Sequence, residues 1–566
     1  MNIDPALAEQ VSSWLEQDPD PVTKEQLTQL WQAAQLEASA LLELRDAFRA
    51  PLEFGTAGLR GALGAGPNRM NRITVLQAAA GLASYLVKQG FAGKPVTIGF
   101  DARYNSNVFA NDTAEVLAGA GLVPLLFPHV VPTPVLAYSI RHQGACAGVM
   151  VTASHNPPQD NGYKVYLGDG RQIVSPADLD ISKHIRSITD VRNISRSTVI
   201  TFLDRKVISD YVASTAAVID SGPTTLAQRS SITCVYTALH GVGWETLQEA
   251  TLGAGFNELI AVPEQRDPDP AFPTVAFPNP EEKGALDLAM DLATKSGADL
   301  LLANDPDADR LAVALADEQG IWRALQGDQV GSLLGWWVIE RAALTNRKVS
   351  GTFANSIVSS MMLEQIALAK NLDYENTLTG FKWVSRVKGL LYGYEEALGY
   401  CVDPGNVSDK DGISAALMFL ELVAHLKAAG KSPWDILNEL SLSYGLHATD
   451  QVSVRVTNLS QVANVMTGLR TNPPQTMGGL KVNQVYDLSD GSTGLPKTDA
   501  IIIHLGGTSE IAKARVIIRP SGTEPKIKCY LEVVVRNSDL AVAQVLADNE
   551  LQELAQDAKP LLAGGK

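Results

Sequence analysis

Short apolar runs alternating with helix-patterned stretches constrain this chain more than any other feature. Residues 96–100, 122–127 and 147–152 have the length and composition of buried strands, and helical pattern such as 73–88 lies between them. The rhythm returns twice. Residues 231–236 and 300–303 bracket a helical stretch at 281–295, and 349–353 precedes helical material at 356–369. Strands alternating with helices predict layered, mostly parallel α/β sheets, here as three similar units. Residues 432–450 have the look of a linker. Beyond them 452–456, 500–505, 514–518 and 527–535 are strand-like and 540–554 helical, the make-up of a smaller α+β domain. Residues 6–50 are helix-rich and mixed in charge, an N-terminal extension. The proline-rich stretch 266–280 is expected to be a long ordered loop, because proline fixes the backbone and cannot join a ladder. The glycine-rich C-terminus should fray.

Length bounds the same reading: 566 residues, at roughly 150 per domain, make about four domains. Hydrophobic residues are 45% and charged residues 19%, enough for several cores. The longest apolar stretch, near 330–339, is short of the about 20 residues a membrane span needs. The N-terminus lacks the basic patch and apolar core of a signal peptide, so a cytoplasmic location is expected. Cys146, Cys234, Cys401 and Cys529 are far apart and form no metal-ligand spacing. The formal net charge of −16 argues against nucleic acid and anionic membrane as partners. A small anionic substrate would need a local cationic site.

Two segments carry the chemistry. In Thr152-Ala153-Ser154-His155-Asn156-Pro157 a strand delivers a serine to the carboxyl end of a sheet, where ligands of open α/β sheets gather. Lys164 follows closely enough to return to the same place as a cation or proton-transfer group. An ST-turn beside a histidine is the bland alternative, and Ser154 lacks the G-x-S-x-G frame of a serine hydrolase. In Asp305-Pro306-Asp307-Ala308-Asp309-Arg310, carboxylates alternate after an apolar run. Alternate residues of an extended segment share a side, and three carboxylates there repel unless a cation sits among them; hard oxygen donors favour Mg²⁺. An EF-hand would want glycine and glutamate where Arg310 and Ala316 stand. A phosphatase with Asp305 as nucleophile also begins strand-D-x-D, and a solvated acidic turn is the plainest alternative.

Other segments suit anions or sugars. Arg519-Pro520-Ser521-Gly522-Thr523 lies between strand-like runs and offers a guanidinium, hydroxyls and glycine-exposed N–H groups to an oxyanion. Gly55-Thr56-Ala57-Gly58-Leu59-Arg60 is a second glycine-rich turn with a cation. Glu395 and Glu396, in Gly393-Tyr394-Glu395-Glu396-Ala397-Leu398-Gly399, suit sugar hydroxyls as acceptors, or a helix N-terminus. His240 either lines a cleft or ends a strand.

In this order, these segments resemble those of the α-D-phosphohexomutase superfamily, the phosphoglucomutases and phosphomannomutases. The resemblance covers nearly the whole chain. It implies four domains around a central cleft: 1–205 with the helical extension and a phosphoserine loop, 206–322 with the metal loop, 323–440 with the sugar-recognition loop and 441–566 with the phosphate loop. It implies Ser154, Lys164, Arg60 and His155 as catalytic residues. Mg²⁺ would be held by Asp305, Asp307 and Asp309 with Ser154. Arg310, His240, Lys382, Glu395, Glu396, Arg519, Ser521, Gly522 and Thr523 would hold the substrate. The expected reaction is a phosphosugar isomerisation through a phosphoserine and a sugar 1,6-bisphosphate, by a monomer or homodimer. Many hexose-specific members have serine where Ala397 stands. With Gly380-Phe381-Lys382-Trp383 and Asp409-Lys410-Asp411-Gly412, this resembles the branch with phosphopentomutases and glucose-bisphosphate synthases. Glucose, mannose and pentose phosphates are all substrates the resemblance allows, and a clamp motion of the last domain about 432–450 would enclose them.

Overall fold

Near-continuous apolar strands need cover on both faces, and the first sheet follows that rule: strand Ala147–Val151 is buried along its whole length. The structure is a computed structural model and describes residues 3–55, 58–455, 459–521 and 526–563. These fall into two units, Met1–Leu325 with Gly399–Ala424, and Gln326–Leu398 with His425–Lys566.

The first unit contains two sheets. In one the strand order is Leu59–Ala62, Asp160–Leu167, Ala147–Val151, Pro95–Phe100, Val123–Leu126, Thr201–Phe202. The last four are mutually parallel, and the first two add on antiparallel. Ser154 therefore lies in the connection between Ala147–Val151 and its antiparallel neighbour, whose register sets Met150 opposite Lys164. Arg60 pairs with Gly162 one strand further out. The second sheet runs Trp322–Ala324, Ala312–Ala316, Leu300–Ala303, Cys234–Thr237, Ile260–Ala261. Its hairpin from Leu300–Ala303 to Ala312–Ala316 encloses Asp305 to Arg310. The N-terminal extension is three helices, Pro5–Gln17, Pro21–Ala34 and Ala38–Ala47. The first two are each opened by an aspartate cap followed by proline. Val11, Leu27 and Leu44 pack with Ile73, Leu76 and Ala79 of helix Arg72–Lys88.

In the second unit, Thr352–Ser356 is flanked in parallel by Asp373–Thr377 and Leu390–Glu395. An antiparallel sheet follows, in the order Leu446–Arg455, Lys526–Val535, Ile511–Pro520, Ile501–Leu505, Leu480–Asp487, Thr476–Met477, with helix Leu540–Leu562 in its core.

Three local expectations are corrected. Residues 432–450 are not a linker. Ser432 and Asp435 form a capping box that starts helix Pro433–Tyr444. After Gly445, at φ 96°, strand Leu446–Arg455 pairs with Lys526–Val535 along all ten residues. The helix expected at 281–295 begins at Asp287, because turns carry the proline-rich loop on through Leu286. The helix expected from 356 begins at Met362; Ser356 is the last residue of its strand. All four cysteines are free and buried. Among the described residues no single helix is long and apolar enough to cross a membrane.

Gly162 shows how tightly the Ser154 connection is set. A Cβ there would stand 2.5 Å from the Thr152 carbonyl oxygen and 2.9 Å from that of Leu59. Gly162→Ala should destabilise the protein by about 1–3 kcal/mol, the usual cost of overpacking. Thermal unfolding checks this, and an unchanged Tm would contradict the packing.

Candidate active site

Ser154 adopts a left-handed backbone, φ 53°, which a non-glycine residue occupies only when its surroundings hold it there. The holder is Arg103. Its buried guanidinium donates to the carbonyls of Ser154 and Asn156, both at 2.6 Å, and of Pro157 and Asp160, at 2.8 and 3.1 Å. It lies 4.9 Å from the Phe272 ring centre and 3.5 Å from Asp101. The Ser154 N–H donates to Thr152 Oγ1. Arg60 donates to Asn156 Oδ1 at 2.9 Å. The serine hydroxyl is thereby aimed at the metal loop: Oγ donates to Asp305 Oδ2 at 2.5 Å, and His155 Nδ1 is 3.2 Å away.

Asp305, Asp307 and Asp309 are buried, with one ligand oxygen of each within 4.8 Å of the others. Ala308 turns the loop through φ 56°, and the Arg310 N–H donates to Asp305 Oδ1. Cations crowd the cluster. Lys164 Nζ lies 2.6 Å from Asp307 Oδ2 and 2.9 Å from Asp309 Oδ2; Lys410 Nζ is also 2.9 Å from Asp309 Oδ2. The Arg310 guanidinium is 3.9 Å from both Asp305 and Asp309. Thr133 donates to Asp307 Oδ2 at 2.6 Å. Even so, Asp307 Oδ1 and Asp309 Oδ1 are buried without a hydrogen-bond partner. Three hard oxygen donors with unused lone pairs fit a divalent cation such as Mg²⁺.

The charges follow from this packing. Burial, then Asp307 and Asp309, push Asp305 up to about 7. Against burial and against Asp309, Lys164 holds Asp307 below the usual carboxylate range. Against burial, Lys164, Lys410 and Arg310 hold Asp309 well below it. Lys164, against burial, is held above its ordinary value by Asp307 and Asp309 and so remains an ammonium. Burial, with Arg310, Arg60 and Lys410 nearby, depresses His155 well below its ordinary value, so its imidazole is neutral.

The structure thus brings Ser154, His155, Lys164, Arg60, Asp305, Asp307, Asp309 and Arg310 together in one unit. His240 is in the same unit, on a turn with φ 59° that packs Gly241 against Pro306; its Nε2 meets Thr274 Oγ1 at 2.8 Å. The sugar-loop and phosphate-loop candidates lie in the second unit. Glu395 accepts the Gly380 N–H at 2.6 Å, next to Lys382 in the short helix Phe381–Val384. Glu396 Oε2 accepts hydroxyls from Ser356 and Ser359 at 3.0 and 2.9 Å. Arg519 is the last residue but one of strand Ile511–Pro520, and Ser521 donates its N–H to the Lys526 carbonyl. Gly522 and Thr523 lie outside the described residues. Arg103 and Thr133 went unread in the sequence. Arg103 had a signal, since it stands two residues beyond Asp101 at the carboxyl end of strand Pro95–Phe100; Thr133 is brought in by tertiary packing alone.

This fold has known counterparts. The phosphoglucomutase/phosphomannomutase family models match residues 51–192 (alpha/beta/alpha domain I), 209–320 (domain II), 326–444 (domain III) and 511–549 (C-terminal domain). A Haemophilus influenzae protein named "Probable phosphomannomutase" is 48% identical across 82% of this chain and 93% of its own length. Mus musculus phosphopentomutase is 37% identical across 94% and 91%, and Homo sapiens glucose 1,6-bisphosphate synthase 34% across 97% and 93%. The Paramecium pp63/parafusin (phosphoglucomutase) crystal structure shares the fold with a TM-score of 0.70 at 17% identity, over 91% of this chain and 96% of that one. The chain belongs to the phosphoglucomutase/phosphomannomutase family, the α-D-phosphohexomutase superfamily. The relatives named here as mutases are phosphotransferring isomerases.

The Asp305 carboxyl gives a test with a definite sign. Folded, it keeps its proton to about 7; unfolded, it loses it near 3.8. Between those values the folded state binds more protons, so stability falls as pH rises. Asp307 and Asp309, shifted downward, act in the opposite sense only below that window. A cation bound at the carboxylates removes the Asp305 cost. Mg²⁺ added to EDTA-treated protein should raise Tm by several degrees at about pH 7.5 and by less than half as much at about pH 5.5. Equal shifts at both pH values would contradict Asp305 as a ligand.

Proposed function

We propose that this chain is a phosphosugar mutase in which Ser154 carries the transferred phosphoryl group. The observation that carries the reading is the Ser154 hydroxyl 2.5 Å from Asp305, inside a buried carboxylate triplet ringed by Lys164, Lys410 and Arg310. A phosphoserine carries roughly −1.5 to −2 charge, and this site supplies the cationic setting that an overall charge of −16 withholds elsewhere.

In the forward half, the P–O bond to Ser154 Oγ breaks as a bond forms between phosphorus and a hydroxyl oxygen of the sugar monophosphate, giving a bisphosphate. In the second half the other phosphoryl group returns to Ser154, and the isomeric monophosphate leaves. Positioning and charge stabilisation supply most of the rate in such transfers. Mg²⁺ held by Asp305, Asp307 and Asp309 would supply Lewis-acid neutralisation of the phosphoryl oxygens. The proton leaving the sugar hydroxyl ends on Ser154 Oγ in the forward half and passes from Ser154 Oγ to the freed sugar oxygen in the second; neutral His155, 3.2 Å from Ser154 Oγ, relays it there. Lys164 and Arg310 stabilise charge on the phosphoryl group. Arg60 holds the loop through Asn156. Glu395, Glu396, Lys382 and His240 serve the sugar, and Arg519 with Ser521, Gly522 and Thr523 the phosphate that is not reacting.

The first substrate pair is glucose 1-phosphate and glucose 6-phosphate, with mannose phosphates as close analogues. A second reading, ribose or deoxyribose 1-phosphate, is favoured by Ala397 in the Glu395–Glu396 turn and by the Mus musculus phosphopentomutase that matches 94% of this chain.

Purified protein with Mg²⁺ and a trace of glucose 1,6-bisphosphate should isomerise glucose 1-phosphate without releasing inorganic phosphate. Ser154→Ala should lower kcat by at least about 10³-fold, and intact mass should show one phosphate on the wild type only. Comparing kcat/KM for glucose, mannose and ribose 1-phosphates settles the sugar. Full activity in Ser154→Ala would refute the assignment.

A further inference from the structure

Lys410 reaches the carboxylate triplet from between two acids of its own, in Asp409-Lys410-Asp411, with Nζ 2.9 Å from Asp309 Oδ2. Unlike charges this close attract strongly once buried. Asp409 and Asp411 are both buried. Each would compete with Asp309 for the ammonium unless its own oxygens were engaged.

Both are engaged, each from a different part of the first unit. Gln172 is bridged to Tyr166 of strand Asp160–Leu167. Its Nε2 donates to Asp409 Oδ2 at 2.7 Å, and Asp409 Oδ1 accepts the Lys410 N–H at 2.8 Å. Tyr211, on helix Lys206–Asp220, places its hydroxyl 2.8 and 3.0 Å from the two Asp411 oxygens. Asp411 Oδ1 also accepts the N–H groups of Ile413 and Ser414, both at 3.0 Å, and so caps helix Gly412–Ala428. Tyr211 is fully buried, and its ring stands edge-on to Tyr138. The whole segment is seated against the metal loop. The Gly412 N–H donates to the Ala308 carbonyl at 3.2 Å, and a Cβ on Gly412 would collide with the Arg310 carbonyl.

The two side chains that engage these acids are neutral. A cation in place of Gln172 or Tyr211 would bind the acid as firmly, but it would also repel Lys410; an amide and a phenol do not. Resting on the mutase reading, we propose that Gln172 and Tyr211 are positioning residues: by engaging Asp409 and Asp411 they leave the Lys410 ammonium to Asp309, beside the transferring phosphoryl group. Their effect on the reaction passes through Lys410. Without either donor, the freed carboxylate oxygen takes the ammonium, and Lys410 turns away from Asp309.

Kinetics of the wild type, Tyr211→Phe, Gln172→Leu and Lys410→Met, with each of the first two also combined with the third, test this route. Tyr211→Phe and Gln172→Leu should each lower kcat about tenfold and move KM for the sugar 1-phosphate less than about threefold, because the charge they place acts on the transferring group. Added to Lys410→Met, each should lower kcat less than about twofold further. Losses that multiply in that background, as a purely structural role would give, overturn the proposal. Crystal structures grown in EDTA read the position without turnover. Tyr211→Phe should bring Lys410 Nζ within about 3.2 Å of Asp411, and Gln172→Leu within the same distance of Asp409, each away from Asp309. A Lys410 that stays on Asp309 in either variant refutes the positioning even in an active enzyme. A wild type that turns over no phosphosugar refutes the function instead, and the place of Lys410 in the crystals still decides the positioning.

Discussion

The repulsion among Asp305, Asp307 and Asp309 governs the first unit. Three carboxylates with oxygens within 4.8 Å, all buried, cannot all stay ionised without cations close by. Lys164, Lys410 and Arg310 supply that charge from three chain segments, and Ser154 supplies a hydroxyl hydrogen. The result is an uneven triplet: Asp309 stays ionised while Asp305 keeps a proton to about 7. The carboxylate nearest Ser154 is thus the one most easily changed by a bound cation or by charge arriving on the serine. Charge balance and chemistry meet at the same oxygen.

Backbone strain is concentrated at the same place. Ser154 and Ala308 both sit at positive φ, on the two loops that meet there. The strain is offset by groups spent wholly on holding: Arg103 gives its guanidinium to carbonyls of the Ser154 loop, and Thr133 binds the Asp307 carboxylate and, through its N–H, the Asp307 carbonyl. Loops held this firmly lose little entropy when a ligand binds.

The sequence disclosed groups that act through their own position in a strand or loop. Ser154 and the aspartates follow short buried strands, so alternation and turn chemistry were enough to mark them. Arg103 is different: its place just beyond a strand marks it as near the sheet's carboxyl end, but the carbonyls it binds are more than fifty residues away, and nothing local names them. Boundaries failed where one signal masked another. Residues 432–450 looked like a linker, yet proline at the first helical position beside a Ser432 cap starts a helix. Strand Leu480–Asp487 went unread because its polar residues interrupt any apolar run; only Leu480 of it is buried. Glu396 was legible as a carboxylate but not as one engaged by Ser356 and Ser359.

That engagement bears on how one site can accept a phosphate at either end of a sugar. If Glu396 were free to swing, hydroxyl recognition could adapt separately to each orientation, and nothing would oblige the non-reacting phosphate to stay in register with it. With Glu396 held by Ser356 and Ser359 and Glu395 by the Gly380 N–H, the two carboxylates of the turn keep one geometry, and under the mutase reading proposed above the reorientation falls to the sugar and not to these acceptors.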